Sequence, residues 1–225
     1  TIRGSKFHNK KNIDIKKYDK NRLNKYNLMK FFPKNTVCFV CDNDEKDYFL
    51  KYYPNNIKIV PIGFLRLNKN WLYRININKK NINFPIRKIL LLVAKDWYIE
   101  KKDLICKIHS IFKLASIYKI EVEYKLHPRS NFDIFKIIKK FKNLKVNESN
   151  NSVLLSSHKA DLVISTSKSG ACMDSLACGV PVLEYYKNNN GINENVQNEY
   201  FLNGRNQSIY SFYGLVKNIE NENNM

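Results

Sequence analysis

Residues 160–184 read ADLVISTSKSGACMDSLACGVPVLE, and this stretch decides the fold class of the second half of the chain. The apolar run at 161–165 predicts a buried β-strand, because it is short and continuous and is followed by small polar residues. Residues 169–178 predict a helix, and Gly179 stands where helices commonly end in a left-handed residue. Residues 181–185 predict the next strand. This βαβ order requires the two strands to run parallel.

The alternation of strands and helices continues upstream. Residues 88–94, KILLLVA, resemble a strand that is buried on both faces of a sheet. Residues 101–118 predict a helix, because their apolar positions recur with a period of 3.6. The other predicted elements are a strand at 122–126, a helix at 132–141, a strand at 144–146, a helix at 153–160 and a closing helix at 209–220. We therefore predict an α/β fold with a Rossmann-like parallel sheet.

The first part of the chain predicts one more βαβ unit. Residues 36–41 and 57–62 predict strands, and the acidic start of 44–53 predicts a helix between them. We predict three regions, namely the tail of an N-terminal lobe at 1–66, a linker at 67–87 and a second domain at 88–225. One βαβ unit is too small to enclose a core. We therefore expect an apolar flank that this lobe does not bury by itself.

Composition limits the classes of function. The chain has 225 residues, 44% of them apolar, which is enough for a globular core. Its formal net charge is +19, but only 7 of the 39 basic residues are Arg, and Asn and Ile are also abundant, as AT-rich coding produces. This pattern argues against a nucleic-acid-binding protein and allows weak attraction to an anionic membrane. We expect no membrane-spanning helix and no signal peptide.

The cysteines indicate a reducing compartment. Their number is five, which is odd, and their spacing is irregular, so a disulfide framework is not expected. Cys38 and Cys41 have the spacing of a metal or redox motif, but they lie in a predicted strand, where residues three apart face opposite ways. We interpret them as core cysteines of a cytoplasmic protein. The spacing of His, Cys and Asp residues predicts no metal site.

Two polar motifs follow predicted strands. Parallel α/β sheets bind ligands beyond the carboxyl ends of their strands. His127 and Arg129, in KLHPRS at 125–130, stand at one such end and can bind a phosphate or carboxylate. The second motif, STSKSG at 165–170, offers four hydroxyl groups and the N–H groups of a predicted helix start. The alternative interpretations are a loop with a capping histidine and a simple Ser/Thr helix cap.

These motifs resemble those of a known enzyme class. The sequence KLHPRS followed by residues 160–184 is similar to the donor-binding half of GT-B glycosyltransferases over about residues 88–186. Within that fold it most resembles bacterial enzymes with cytidine-activated donors. These are sialyl- and polysialyltransferases, capsule Kdo transferases and CDP-glycerol glycerophosphotransferases.

The resemblance implies roles for particular residues. His127 takes the part of the catalytic histidine that contacts the donor nucleotide and phosphate, and Glu184 matches an acidic residue that often holds ribose. The residues implied in binding the donor phosphate are Arg129, Ser165, Thr166, Ser167, Ser169 and Gly170. The implied partners are a nucleotide-activated donor and a carbohydrate or lipid-linked acceptor of surface polysaccharide synthesis, and no cofactor is implied. Two alternatives stay open: a UDP-N-acetylglucosamine 2-epimerase, and an inactive fragment or basic binding domain.

Overall fold

The computed structural model of this chain describes residues 36–41, 57–75, 84–94, 101–185, 208–212 and 214–220, together with a few positions outside these ranges. The chain divides into two compact units, Thr1–Leu72 and Tyr73–Met225. A short helix, α1 (Lys69–Arg74), crosses the division and lies within the predicted linker. No helix among the described residues is long and apolar enough to cross a membrane.

The first unit contains a parallel pair of strands, β1 (Thr36–Val40) and β2 (Ile57–Pro61), at the predicted positions. Most of the helix predicted at 44–53 lies outside the described residues. Val37 and Phe39 lie two residues apart on one face of β1, and their side chains are 46% and 63% exposed. Parallel sheets normally bury both faces, so these side chains form the apolar flank that the sequence predicts.

The second unit contains a six-stranded, entirely parallel sheet. Its strands are β3 (Lys88–Val93), β4 (Glu121–Leu126), β5 (Val146–Glu148), β6 (Leu162–Ser165), β7 (Val182–Tyr185) and β10 (Lys217–Ile219). A separate antiparallel pair is formed by β8 (Phe201–Leu202) and β9 (Arg205–Asn206). The spatial order of the large sheet is β10-β7-β6-β3-β4-β5, which is the doubly wound order of Rossmann folds. The predicted fold class is therefore confirmed.

Helices cover the central strands of the sheet. They are α2 (Lys101–Ile117), α3 (Phe135–Ile138), α4 (Val153–Lys159), α5 (Ala171–Ala177) and α6 (Ile209–Phe212). The main core joins α2 to one set of alternate strand residues, including Leu91, Val122 and Ile164. Contacts of α4 with β3, and of α5 with β6 and β7, complete the layering. All residues from Ile89 to Val93 are buried, as the apolar run predicts.

The predicted closing helix at 209–220 is wrong. The chain is helical only in α6, and Gly214 then adopts a left-handed backbone with φ of 68°. This turn, in which the Leu215 N–H donates to the Tyr210 carbonyl at 2.9 Å, redirects the chain into β10. β10 pairs with the open edge of β7 and buries Ile219, so sheet pairing prevails over local helix propensity.

Three other elements differ from the prediction by two or more residues at a boundary. α3 is shorter than the predicted 132–141, because the chain after it closes tighter i→i+3 turns at Lys140 and Phe141. β5 begins two residues after the predicted 144, because the Leu144 N–H is bonded to the Phe141 carbonyl in a turn. α5 begins at Ala171 rather than Ser169, and the Ser169 hydroxyl accepts a hydrogen bond from the Ala171 N–H at 3.3 Å.

Candidate functional site

The strand order reverses its direction at β3. From β3 the chain moves outward through β4 and β5, and it then returns to the other side of β3 to form β6 and β7. Ligands of doubly wound sheets bind where the order reverses in this way. The loops that follow β4 and β6 flank β3 on opposite sides, so they leave the sheet about 10 Å apart, or twice the interstrand spacing.

His127 follows β4 and is held against β3. Its backbone N–H donates to the Val93 carbonyl at 3.1 Å. Its Nδ1 accepts a hydrogen bond from the Arg129 N–H at 3.1 Å, so the neutral ring carries its proton on Nε2. The side chain is half-buried rather than enclosed in the core. A histidine in this tautomer can donate a hydrogen bond to an anion at the carboxyl edge of the sheet.

Arg129 and Ser130 form the turn after His127. The Ser130 N–H donates to the His127 carbonyl at 2.7 Å, which closes a tight turn around Pro128. Arg129 is exposed at the tip of this turn. Its backbone N–H holds the histidine ring, and its side chain is exposed to solvent.

The hydroxyl groups of Ser165 and Thr166 are used by the backbone. Ser165 Oγ donates to the Ser167 carbonyl at 2.6 Å. Thr166 Oγ1 accepts from the Ala94 N–H at 2.9 Å, and the Thr166 N–H donates to the Leu92 carbonyl at 3.0 Å. Both side chains are at most 1% exposed. The implied role of these two hydroxyls as phosphate ligands therefore finds no support in this geometry, because both groups connect the loop to itself or to β3.

The following residues offer a backbone donor. Ser167 is 5% exposed, and its hydroxyl makes only a long contact of 3.5 Å with the Lys168 carbonyl. Within the described part of the chain, the Ser167 N–H donates no hydrogen bond. The Ser169 hydroxyl accepts a hydrogen bond from the Ala171 N–H at the start of α5, and the N-cap residue Gly170 is exposed. The segment 165–170 is therefore ordered by its hydroxyls, and the Ser167 N–H has no acceptor among the described residues.

Glu184 lies beside Ser165 in the register of β6 and β7 and has no exposed surface. One carboxylate oxygen accepts a hydrogen bond from the Ser208 hydroxyl. The other, Oε1, has no partner among the described residues. Burial raises the pKa of Glu184 to about 7, against the opposing effects of the Ser208 hydrogen bond and the charge of Lys168. The carboxyl is therefore fully enclosed, with the Ser208 hydroxyl bonded to one of its oxygens.

Two residues near the site have no counterpart in the sequence-based prediction. Ser208 lies outside every predicted motif. Lys107 is 3% exposed and lies beneath the Ser/Thr loop, with its Nζ 3.4 Å from the Thr166 carbonyl. The helical period of the sequence could have predicted that Lys107 is buried, because position 107 falls between Leu104 and Ile111 on the buried face of α2. A lysine at a core position indicates a specific partner.

Comparisons with known proteins agree with the fold. No family model matches the sequence, and no curated protein matches it. Among solved structures, the chain is similar to UDP-GlcNAc 2-epimerase from Methanocaldococcus jannaschii, with a TM-score of 0.52 and 17% identity. That match covers 84% of this chain and 53% of the epimerase chain. This chain therefore spans about half the length of that protein.

Two glycosyltransferases also match. WaaG, a glycosyltransferase involved in lipopolysaccharide biosynthesis, gives a TM-score of 0.35 at 16% identity over 65% of this chain and 43% of its own. The second is a mutant of S. aureus TarM, solved in complex with Fondaparinux, alpha-GlcNAc-glycerol and UDP. It gives a TM-score of 0.42 at 15% identity and covers 97% of this chain and 39% of the TarM chain. At such low identity the similarity to solved structures concerns the fold alone, and the match to the epimerase agrees with the parallel α/β sheet of the second unit.

Proposed function

We propose that this chain binds the donor of a GT-B transferase, which moves a sugar or polyol phosphate from a nucleotide-activated donor to a surface polysaccharide acceptor. The observation that supports the proposal is that β4 and β6, whose following loops each contain a potential anion donor, lie on either side of β3. On one side His127 presents the Nε2–H tautomer, and on the other the Ser167 N–H makes no hydrogen bond to described residues. A nucleotide phosphate is the anion that doubly wound sheets bind at this place.

These groups would act on the leaving nucleotide. An acceptor hydroxyl attacks the activated carbon or phosphorus of the donor, and the bond from that atom to the nucleotide phosphate oxygen breaks. The bonding electron pair leaves with the phosphate, and the proton of the hydroxyl passes to a base. Hydrogen bonds from His127 and the Ser167 N–H stabilise the negative charge that develops on the phosphate, and Arg129 adds positive charge. Glu184 is the proposed partner of the ribose.

We further propose that the donor is a sugar or polyol phosphate activated by CMP or CDP, because KLHPRS and the STSKSG segment resemble those of enzymes with such donors. The acceptor would be a carbohydrate or a lipid-linked carbohydrate. The formal charge of +19 favours weak binding to anionic lipid headgroups. Such an enzyme would work in the cytoplasm, at the inner face of the membrane.

A UDP-N-acetylglucosamine 2-epimerase is the second candidate. The superposition on the M. jannaschii epimerase, at a TM-score of 0.52, is the observation that favours it. Its substrate is also a nucleotide-activated sugar, so the same site would bind it. The transferase and the epimerase differ in the residue that acts as the base and in the product that is formed.

Thermal unfolding of the chain with CMP, CDP, UDP or cytidine tests the proposal. A ligand at 100 times its Kd stabilises the folded state by about 2.7 kcal/mol. We expect CMP and CDP to raise Tm more than UDP does, and cytidine to raise it least. A response to UDP alone, with conversion of UDP-N-acetylglucosamine to its 2-epimer, would support the epimerase. No response to any nucleotide would contradict both functions.

A further inference from the structure

Lys107 is a buried cation below the candidate site. It lies on the second turn of α2, and its side chain is 3% exposed. Removing an ammonium from water is costly, and burial lowers its pKa despite the opposing effect of Asp103. A buried charge persists in proteins where it is paired and hydrogen-bonded. The partners of Lys107 therefore indicate what it does.

Its contacts join three segments at the carboxyl edge of the sheet. Lys107 Nζ lies 3.0 Å from Asp103 Oδ2, one turn earlier on α2. It donates a long hydrogen bond of 3.4 Å to the Thr166 carbonyl, directly after β6. It also lies 5.8 Å from the centre of the Tyr185 ring, at the end of β7. One side chain thus connects the helix after β3 with the ends of β6 and β7.

The contact with Thr166 has a geometric consequence. The peptide between Thr166 and Ser167 is planar and trans, so its carbonyl and its N–H point in opposite directions. Because the carbonyl points towards Lys107, the Ser167 N–H points away from α2. The Thr166 N–H and hydroxyl are already fixed to β3. The orientation of this peptide is therefore set on one side by β3 and on the other by Lys107.

We infer that Lys107 is a positioning residue for the nucleotide phosphate: it holds the Thr166 carbonyl and so aims the Ser167 N–H at the anion. This inference rests on the proposed function, since it concerns the phosphate of the same nucleotide. The ammonium does not touch the ligand. Its removal lets the peptide rotate and adds an entropic cost to phosphate binding, while the groups that contact base and ribose stay unchanged.

The test compares affinities for a nucleotide and its nucleoside. CMP, CDP and cytidine are titrated calorimetrically into the wild-type chain, Lys107→Met and Lys113→Met. Met matches the length of Lys without the charge, and Lys113 is an exposed residue of the same helix. We expect Lys107→Met to bind CMP and CDP about tenfold more weakly, on the scale of one charge-assisted hydrogen bond. Its affinity for cytidine should stay within about twofold, and Lys113→Met should resemble the wild type.

Each outcome decides a different claim. A general loosening of the fold would weaken cytidine and nucleotide binding alike, and that result would overturn the positioning role. Equal CMP affinity of Lys107→Met and the wild type would overturn it too. A wild-type chain that binds no nucleotide would instead overturn the proposed function, and with it the inference. If Lys107→Met does not fold, the same comparison is made with Lys107→Gln, and Lys107→Arg should restore nucleotide affinity.

Discussion

Glu184 is a buried acidic residue of β7 whose surroundings favour its protonated form. Its carboxyl group has no exposed surface and only one hydrogen-bonded oxygen among the described residues. Glu184 and Cys172 lie close together, and burial with the charge of Glu184 raises the pKa of the Cys172 thiol to about 12. This thiol is therefore a packing group rather than a nucleophile. A protonated carboxyl suits these surroundings better than a carboxylate does.

The pH dependence of stability tests this description. The folded-state pKa of Glu184 is raised from 4.5 to about 7, so the folded state holds this proton more tightly than the unfolded state does. The contribution of protonated Glu184 to the free energy of unfolding is complete below pH 4.5, and it is lost as the pH rises towards 7. We expect Glu184→Gln to gain stability relative to the wild type as pH rises through this interval, by about 1.4 kcal/mol for each pH unit.

Urea unfolding at several pH values measures this difference. Glu220→Gln, at an exposed carboxylate, is the matched control. A constant difference between Glu184→Gln and the wild type across this interval would show that Glu184 is ionised in the folded state.

At the scale of elements, the loop after β6 is built by its own hydroxyl groups. Thr166 joins this loop to the end of β3 through the buried Ala94 N–H. Replacing Thr166 by Val keeps the shape but leaves that N–H without an acceptor. We expect a loss of about 1–3 kcal/mol in the free energy of unfolding, the cost of an unsatisfied buried donor.

The control for this prediction is Thr166→Ser, which keeps the hydroxyl. Its loss should be smaller than that of Thr166→Val in the same urea titration. Equal stability of Thr166→Val and the wild type would mean that the hydrogen bond to Ala94 does not hold the loop.

The elements also show what sequence patterns can predict. The strands β3, β4, β6 and β7 are predicted to within one residue. β3 and β6 are short apolar runs, whereas β4 alternates charged and apolar residues. β10 is not predicted, because its pairing with β7 depends on a distant edge and on the turn at Gly214. For the candidate site, the sequence predicts which loops follow β4 and β6 but not the hydrogen bonds within them. The hydrogen bond between the Thr166 hydroxyl and the Ala94 N–H joins residues that are distant in sequence, so sequence patterns do not predict it.

At the scale of the whole molecule, the two units differ in how far their strands are enclosed. In the second unit, β3 has neighbours on both edges and buried residues on both faces. In the first unit, β1 exposes Val37 and Phe39. Local opening has a lower free energy where fewer apolar contacts are lost.

Amide hydrogen exchange should therefore separate the units. We expect the slowest exchange in β3, β4 and β6, and exchange at least about tenfold faster in β1 and β2, which corresponds to about 1.4 kcal/mol. Mass spectrometry of peptides from the exchanged chain resolves these strands. Equal protection of β1 and β3 would mean that the first unit is enclosed as well as the second.

The central claim is that one nucleotide phosphate is bound between the loops that follow β4 and β6. The most direct measurement is the Kd of CMP or CDP for the wild type, His127→Ala and His109→Ala, the last at an exposed histidine of α2. We predict that His127→Ala weakens binding by about 1.5–3 kcal/mol, or roughly 10- to 150-fold, and that His109→Ala leaves Kd unchanged. Nucleotide binding that is as tight in His127→Ala as in the wild type would contradict the claim.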